Sequence, residues 1–378
     1  LQAARTAQTS DAKSDGAAQL ALALMAQKQP QAESLVQSYL AGKPRPEVWM
    51  DYARTLLEAQ RYAEALRQVQ ALTAGHPDFA DAWLVRGALE LQDSQPLVAE
   101  KSLKRYVDMV TAKSAGTRAA PSSRGLVQAY LNLAQIAEQR KEFDQADAWL
   151  KRIDSNDALL DAQLRRAAIL GRQGKLDEAR KLIHALPQKS AADAQQKLNA
   201  ELDLLNDAKQ YKLVYDLLSE VLSKIPGDLD LVFKLAMASE KLGKLDEMER
   251  LLRTIIAAKP DYPHAYTALG YSLAERNVRL PEAKKLIVKA LEFAPNDPFI
   301  SDSLGWLEFR SGNHAEALRI LQAAFKTKPD PEIAAHLGEV LWASGQREQA
   351  LLIWREGVKI NADNDTLKET LKRLRVKL

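Results

Sequence analysis

The chain has 378 residues, 46% hydrophobic and 27% charged, the balance of a chain that folds around a core. Its 53 Lys and Arg against 50 Asp and Glu leave a formal charge of +3, too even for a nucleic-acid binder with a basic face. Cysteine is absent, which excludes disulfides, thiolate zinc sites and a cysteine nucleophile, and the longest apolar stretch, Leu20 to Ala26, is far below the roughly 20 residues of a membrane span.

Residues 1–12 precede any regular pattern, and a start at Leu1 rather than Met reads as a fragment or a processed chain. A weak helical hairpin begins at Lys13, with Leu20, Ala32, Val36 and Pro44 at positions 8, 20, 24 and 32 counted from it. From Pro46 a 34-residue period takes over, with units starting at Pro46, Ala80, Val127, Leu160, Gln195, Leu229, Pro263, Pro298 and Pro331. Position 8 is small in most units (Ala53, Gly87, Ala134, Ala167, Gly270, Gly305, Gly338), as is position 20 (Ala65, Ala99, Ala146, Ala179, Ala317, Ala350). Two helices that cross closely need such residues, while larger apolar side chains at positions 4, 7, 11, 24 and 27 fill the space between them. Gly174, Gly243, Gly312 and Gly345 fall between the helices of a unit, where a left-handed cap is required. Pro77, Pro226, Pro260, Pro295 and Pro329 close the second helix.

This pattern resembles the tetratricopeptide repeat and predicts an all-α, right-handed superhelical solenoid of about ten repeats over residues 13–364. Between Ala80 and Val127 the offset widens, and residues 111–126, rich in Ser and Gly, read as a mobile loop inserted between units. Leu202 and Val214 in the Gln195 unit, and Met248 in the next, replace small residues and should splay those crossings. Residues 365–378, with Leu367, Leu371, Leu374 and Leu378 on one side, read as a capping helix at a native end.

Enzyme signatures are missing: no G-x-S-x-G, G-x-x-x-x-G-K, G-x-G-x-x-G or H-E-x-x-H occurs, and no cofactor or catalytic residue is assigned. Glu332, His336 and Glu339 share one helix face and come nearest to a metal cluster, but a solvated groove face is the simpler reading of them. We therefore expect a non-enzyme without a metal. A metal-using enzyme subunit is kept only as a distant third reading.

Function should lie in the concave groove, lined by positions 2, 5, 6, 9, 12 and 13 of each first helix. The Gln195 unit offers a polar stretch there, Gln196, Asn199, Asp203, Asn206 and Asp207. Farther on the lining turns aromatic: Phe233 and Met237, then His264 and Tyr271, then Phe299, Trp306 and Phe309, then His336 and Trp342. Rings presented by successive helices suit a peptide or partner helix as anchors. Trp306 and Trp342 either face a partner or fill the groove floor. Asp302, Arg310 and Glu339 complete the candidate set as charged positions that solvent alone could satisfy.

Two segments carry a narrower resemblance. Tyr266 to Arg276 (YTALGYSLAER), with Pro281-Glu282-Ala283 and Ser303-Leu304-Gly305-Trp306, is one; Pro331 to Gly345 (PEIAAHLGEVLWASG) is the other. From about Tyr262 to Ala362 the chain resembles the C-terminal repeats of proteobacterial outer-membrane tetratricopeptide lipoproteins. That resemblance implies a periplasmic adaptor that binds a carboxyl-terminal processing protease and its substrates, with membrane attachment only through an N-terminal lipid outside this chain. An assembly or regulatory factor for cell-envelope components, periplasmic or cytoplasmic, is the alternative.

Overall fold

The computed structural model describes residues 15–27, 29–114, 123–154 and 158–378, and among these residues there are 21 α-helices, one 3-10 turn and no strand. The chain divides into two compact units, residues 1–208 and 209–378. In the first, α1 (Asp15–Ala26) and α2 (Glu33–Leu40) lead into four helical hairpins. These are α3 (Pro46–Glu58) with α4 (Tyr62–Gly75), α5 (Ala80–Gln92) with α6 (Pro96–Ser114), α7 (Ser123–Gln139) with α8 (Phe143–Leu150), and α9 (Leu159–Arg172) with α10 (Leu176–Ala185). Helix α11 (Ala191–Asp207) packs on the last of them. The second unit starts with α12 (Tyr211–Lys224). Its hairpins are α13 (Leu229–Lys241) with α14 (Leu245–Ala258), α15 (Pro263–Glu275) with α16 (Leu280–Phe293), α17 (Pro298–Arg310) with α18 (His314–Thr327), and α19 (Pro331–Ala343) with α20 (Arg347–Ile360). Helix α21 (Asp365–Arg373) packs on α19. The division falls inside the Gln195 repeat, the one in which Leu202 and Val214 stand where small residues are the rule.

Close approach explains the small residues. A Cβ on Gly87 would lie 2.6 Å from Leu103 Cγ, and one on Gly338 would lie 2.2 Å from Trp354 Nε1. Leu103 and Trp354 both occupy position 24, so the side chain there is what presses on position 8 of the preceding helix. The position-20 alanines Ala65, Ala99, Ala146, Ala179, Ala317 and Ala350 are fully enclosed beside them. Position 15 of all nine units from Pro46 onward has a left-handed backbone, φ running from 54° at Lys209 to 87° at Gly312. Glycine takes this conformation without strain, whereas Gln60, Ser94, Lys141, Lys209 and Asn277 hold it against a steric cost of about 1–2 kcal/mol each. Prolines at the first helical position (Pro46, Pro263, Pro298, Pro331) and side-chain caps from Asp228, Asp297, Asp330 and Asn364 start several helices.

The insert differs from its expectation at both ends. Helix α6 continues to Ser114 and α7 begins at Ser123, so residues 111–114 and 123–126 are helical rather than loop. No breaker interrupts Thr111 to Ser114, and Leu126 finds a place in the core at 8% exposure. Gly125 lets α7 pass beneath the Tyr106 hydroxyl, which a Cβ would meet at 2.1 Å. Residues 115–122, including Arg118, lie outside the described residues, as does the segment 1–12. The cap is helical only to Arg373, since Arg375 turns left-handed (φ 56°), and Leu367 plugs it into the core at 1% exposure.

Candidate partner-binding site

All twelve candidate groove residues belong to the second unit, and they sort into an open ledge and a closed floor. The ledge begins with Phe233 on α13, whose ring centroid lies 5.8 Å from Tyr262 and 6.3 Å from His264. Tyr262 and His264 meet edge-on at 6.0 Å, completing a three-ring cluster at the start of α15. Pro263 fixes that helix start and so places the two rings on either side of it. The Tyr262 hydroxyl donates to Asp230 at 2.8 Å, and partial burial followed by that carboxylate pushes its pKa up to about 12. His264 is exposed and Met237 half-buried. Phe299 is 46% exposed at the register position on α17 that His264 holds on α15.

The floor lies deeper. His336 on α19 is 2% exposed, and its Nδ1 donates to the Asp302 carboxylate on α17 at 2.8 and 3.0 Å. Its Nε2 lies 3.2 Å from the Tyr271 hydroxyl on α15. One face of the ring stacks on Trp306 at 4.5 Å and 22°. The Trp306 indole N–H donates to Glu275 at 2.6 Å. Arg310 donates to the Glu275 carbonyl at 3.1 Å, its guanidinium carbon 5.8 Å from the Trp306 ring, and its Nε is buried without a hydrogen-bond partner. Phe309 packs between Trp306 (5.3 Å) and His314 (5.1 Å). Glu339 is gripped by both terminal nitrogens of Arg373, at 2.7 and 2.5 Å. Trp342 leans on Trp354 at 5.6 Å beneath the Arg347 guanidinium.

Asp302, Trp306, His336 and Glu339 are therefore buried, and as the structure stands they present no surface to a partner. Side chains of neighbouring first helices close over them. The three-residue metal reading also fails on geometry, because protein groups hold both His336 nitrogens and the Glu339 carboxylate. Among the described residues no three His, Asp or Glu side chains converge to hold a metal.

Burial alone would keep His336 neutral, yet Asp302, with Glu332 and Glu275 behind it, outweighs that cost and holds its pKa above the ordinary value. Burial pushes Glu332 and Glu240 upward, and pushes Tyr271 far above the usual phenol range. Tyr262, Glu240, Glu275 and Arg373 were not among the candidates. Glu240 and Glu275 occupy groove positions 12 and 13, and Arg373 is position 9 of α21 counted as one more first helix. Counting the cap in register would have paired it with Glu339, the position-9 residue one unit earlier.

The first unit offers less. A cleft of about 470 Å³ between α9 and α11 has Leu164 and Gly171 on its floor and Arg172, Asp203 and Asp207 at its edge. The buried Glu90 is held by Arg86 (2.7 Å) and Ser102 (2.6 Å), and the buried Glu201 by Arg180 (2.9 Å) and His184 (2.8 Å), all as internal ties.

Comparison with known proteins agrees with this architecture. Models of the tetratricopeptide repeat match residues 50–121, 127–158, 205–270 and 303–365, together more than half of the chain. The TPR repeat-containing protein PA4667 of Pseudomonas aeruginosa is 35% identical over 246 residues, which are 65% of this chain and 42% of that protein. This chain thus spans less than half the length of that relative. A tetratricopeptide repeat protein from Parabacteroides merdae superposes with a TM-score of 0.50 at 16% identity, over 65% of this chain and 98% of its own. The thermophilic TPR protein TTC0263 of Thermus thermophilus aligns with a TM-score of 0.43 at 20% identity, over 48% and 99%. Helical hairpins in a 34-residue register, with small residues at each crossing and matching repeat models, make this chain a tetratricopeptide repeat protein, built as a protein–protein interaction scaffold.

Proposed function

We propose that the ledge of the second unit, with Phe233, Tyr262, His264 and Phe299, is where this scaffold docks a partner protein. The observation that carries this reading is the three-ring cluster, with an exposed Phe299 one unit farther along, on a face where the deeper rings are sealed. Partially exposed rings in a fixed arrangement give a partner apolar contact at small entropic cost. The resemblance of residues 262–362 to outer-membrane lipoproteins supports a periplasmic adaptor for a carboxyl-terminal processing protease. Holding protease and substrate on one scaffold raises their effective concentration and needs no catalytic group in this chain.

The test is binding of the full chain to the purified carboxyl-terminal processing protease of the source organism, by interferometry with melting followed in parallel. Phe233→Ala and Phe299→Ala should each weaken binding by ~2 kcal/mol if these rings are hot spots. Phe299→Ala should leave the melting temperature within a degree or two, because the ring is nearly half exposed. Unchanged binding by both variants would remove the ledge as the site. Absence of any binding by the wild-type chain would remove the protease as the partner.

A further inference from the structure

We propose that the contact around His336 is a proton-operated clasp: with the imidazole protonated it ties α15, α17 and α19 together on their inner side, and with the ring neutral the tie loosens. The clasp follows from the geometry of the floor and does not depend on the docking reading. His336 is enclosed, and its three neighbours come from two other helices, Tyr271 from α15 and Asp302 and Trp306 from α17. A carboxylate only accepts hydrogen bonds, so Nδ1 carries a proton whenever Asp302 is ionised. The titrating proton therefore sits on Nε2, facing the Tyr271 hydroxyl at 3.2 Å.

Each state of the ring has a complete proton count. When the ring is neutral, the phenol donates its proton to Nε2. When the ring is charged, Nε2–H donates to the phenol oxygen, and the phenol proton turns away toward carboxylates. Glu240, Glu275, Glu332 and Asp302 all act electrostatically on that hydroxyl. The imidazolium also gains an ion pair with Asp302 and a cation–π contact with the Trp306 face.

The charges around the ring favour this proton. Helix α15 contributes Tyr271 and Glu275; α17 contributes Asp302, with Arg310 behind Trp306. Its own α19 adds Glu332 and the Glu339 that Arg373 of α21 neutralises, while α13 adds Glu240 and the cation Lys241. Glu332 acts on the ring itself and Glu240 on the Tyr271 hydroxyl, with Lys241 opposing both in part.

Stability then has a definite sign. A His whose folded pKa is raised contributes stability that is complete below about pH 6.5, its unfolded value, and is lost as pH rises through the folded value. Glu240 and Glu332, raised by burial, act in the same direction at lower pH, since the folded unit binds their protons more readily. Helices α15 and α17 also bear His264 and Phe299, so a looser clasp would change the spacing of the ledge.

Trp306 supplies the readout, because an imidazolium stacked on an indole quenches its fluorescence. The full chain, titrated from pH 5 to 9, should show an emission change with a midpoint above about 6.5. Trp306→Phe and His336→Gln should each abolish it, and Asp302→Asn should move the midpoint down by about 1–3 units. The wild-type melting temperature should fall between pH 6 and pH 8, and His336→Gln should flatten that difference. An equal transition in His336→Gln, or none in the wild type, would overturn the clasp. If His336→Gln does not fold, carbon NMR of the wild-type imidazoles decides the matter. A His336 ring held in one protonation state throughout this range overturns the proposal, and one that titrates with the Trp306 emission supports it.

Discussion

Gly338→Ala adds one methyl group where α19 crosses α20. The new Cβ would sit 2.2 Å from Trp354 Nε1, 2.5 Å from Cε2 and 2.6 Å from Cδ1, all inside van der Waals contact. Trp354 cannot yield easily, because it is fully buried and its indole N–H points at the Ala335 carbonyl 3.3 Å away. Overpacking of this kind costs about 1–3 kcal/mol, and a rigid ring system met by three atoms belongs at the upper end. Against it stands the helix propensity gained when Gly becomes Ala, about 1 kcal/mol. The net expectation is destabilisation by about 2 kcal/mol, a drop of ~4–8 °C for a cooperative unit of this size. Gly171→Ala is the control. Its Cβ meets only the Leu204 side chain, so propensity and repacking should nearly cancel. Circular dichroism melts of both variants, with Trp354→Leu alone and combined with Gly338→Ala, complete a double-mutant cycle. Trp354→Leu should destabilise by itself and should make the added methyl harmless. If Gly338→Ala melts at or above wild type, or costs as much in the Trp354→Leu background, the close-crossing argument is wrong.

Lys141→Gly relieves a left-handed residue at the turn between α7 and α8 and should stabilise by up to ~1 kcal/mol once the extra freedom of glycine in the unfolded chain is deducted; denaturant melts measure this. Arg373→Ala leaves the buried Glu339 carboxylate without its guanidinium, and since Arg373 is itself half exposed the cost should be ~1–2 kcal/mol, seen as faster amide exchange in α21. Glu249 is held down to about 2, first by its hydrogen bond from Arg279 and then by Arg253. The stability this gives is present above the ordinary carboxylate pKa and lost as pH falls toward 2, so Glu249→Gln should flatten the acid limb of an unfolding titration in that range.

What the sequence determined by itself is the repeating unit. Alanine and glycine at positions 8 and 20 mark where two helices must touch, glycine at position 15 marks a left-handed turn, and proline marks where a helix starts or stops. Each of these is a local demand that a single residue type meets, so the 34-residue register and the all-α class were readable without coordinates. The ends of the insert were misread because low complexity resembles a loop, although nothing in Thr111 to Ser114 prevents α6 from continuing and Leu126 had a core position to fill. Tertiary structure decided which groove positions are open. Register shows that Phe233, Trp306 and His336 all point inward from their own hairpins. It does not show how far each hairpin turns relative to the next, since that rotation is set by small packing differences at several interfaces. In the second unit the outcome buries Trp306 against His336 and Asp302, while Phe233, His264 and Phe299 keep access to solvent, so position 5 is a sealed Asp302 in one hairpin and an accessible Phe233 in another.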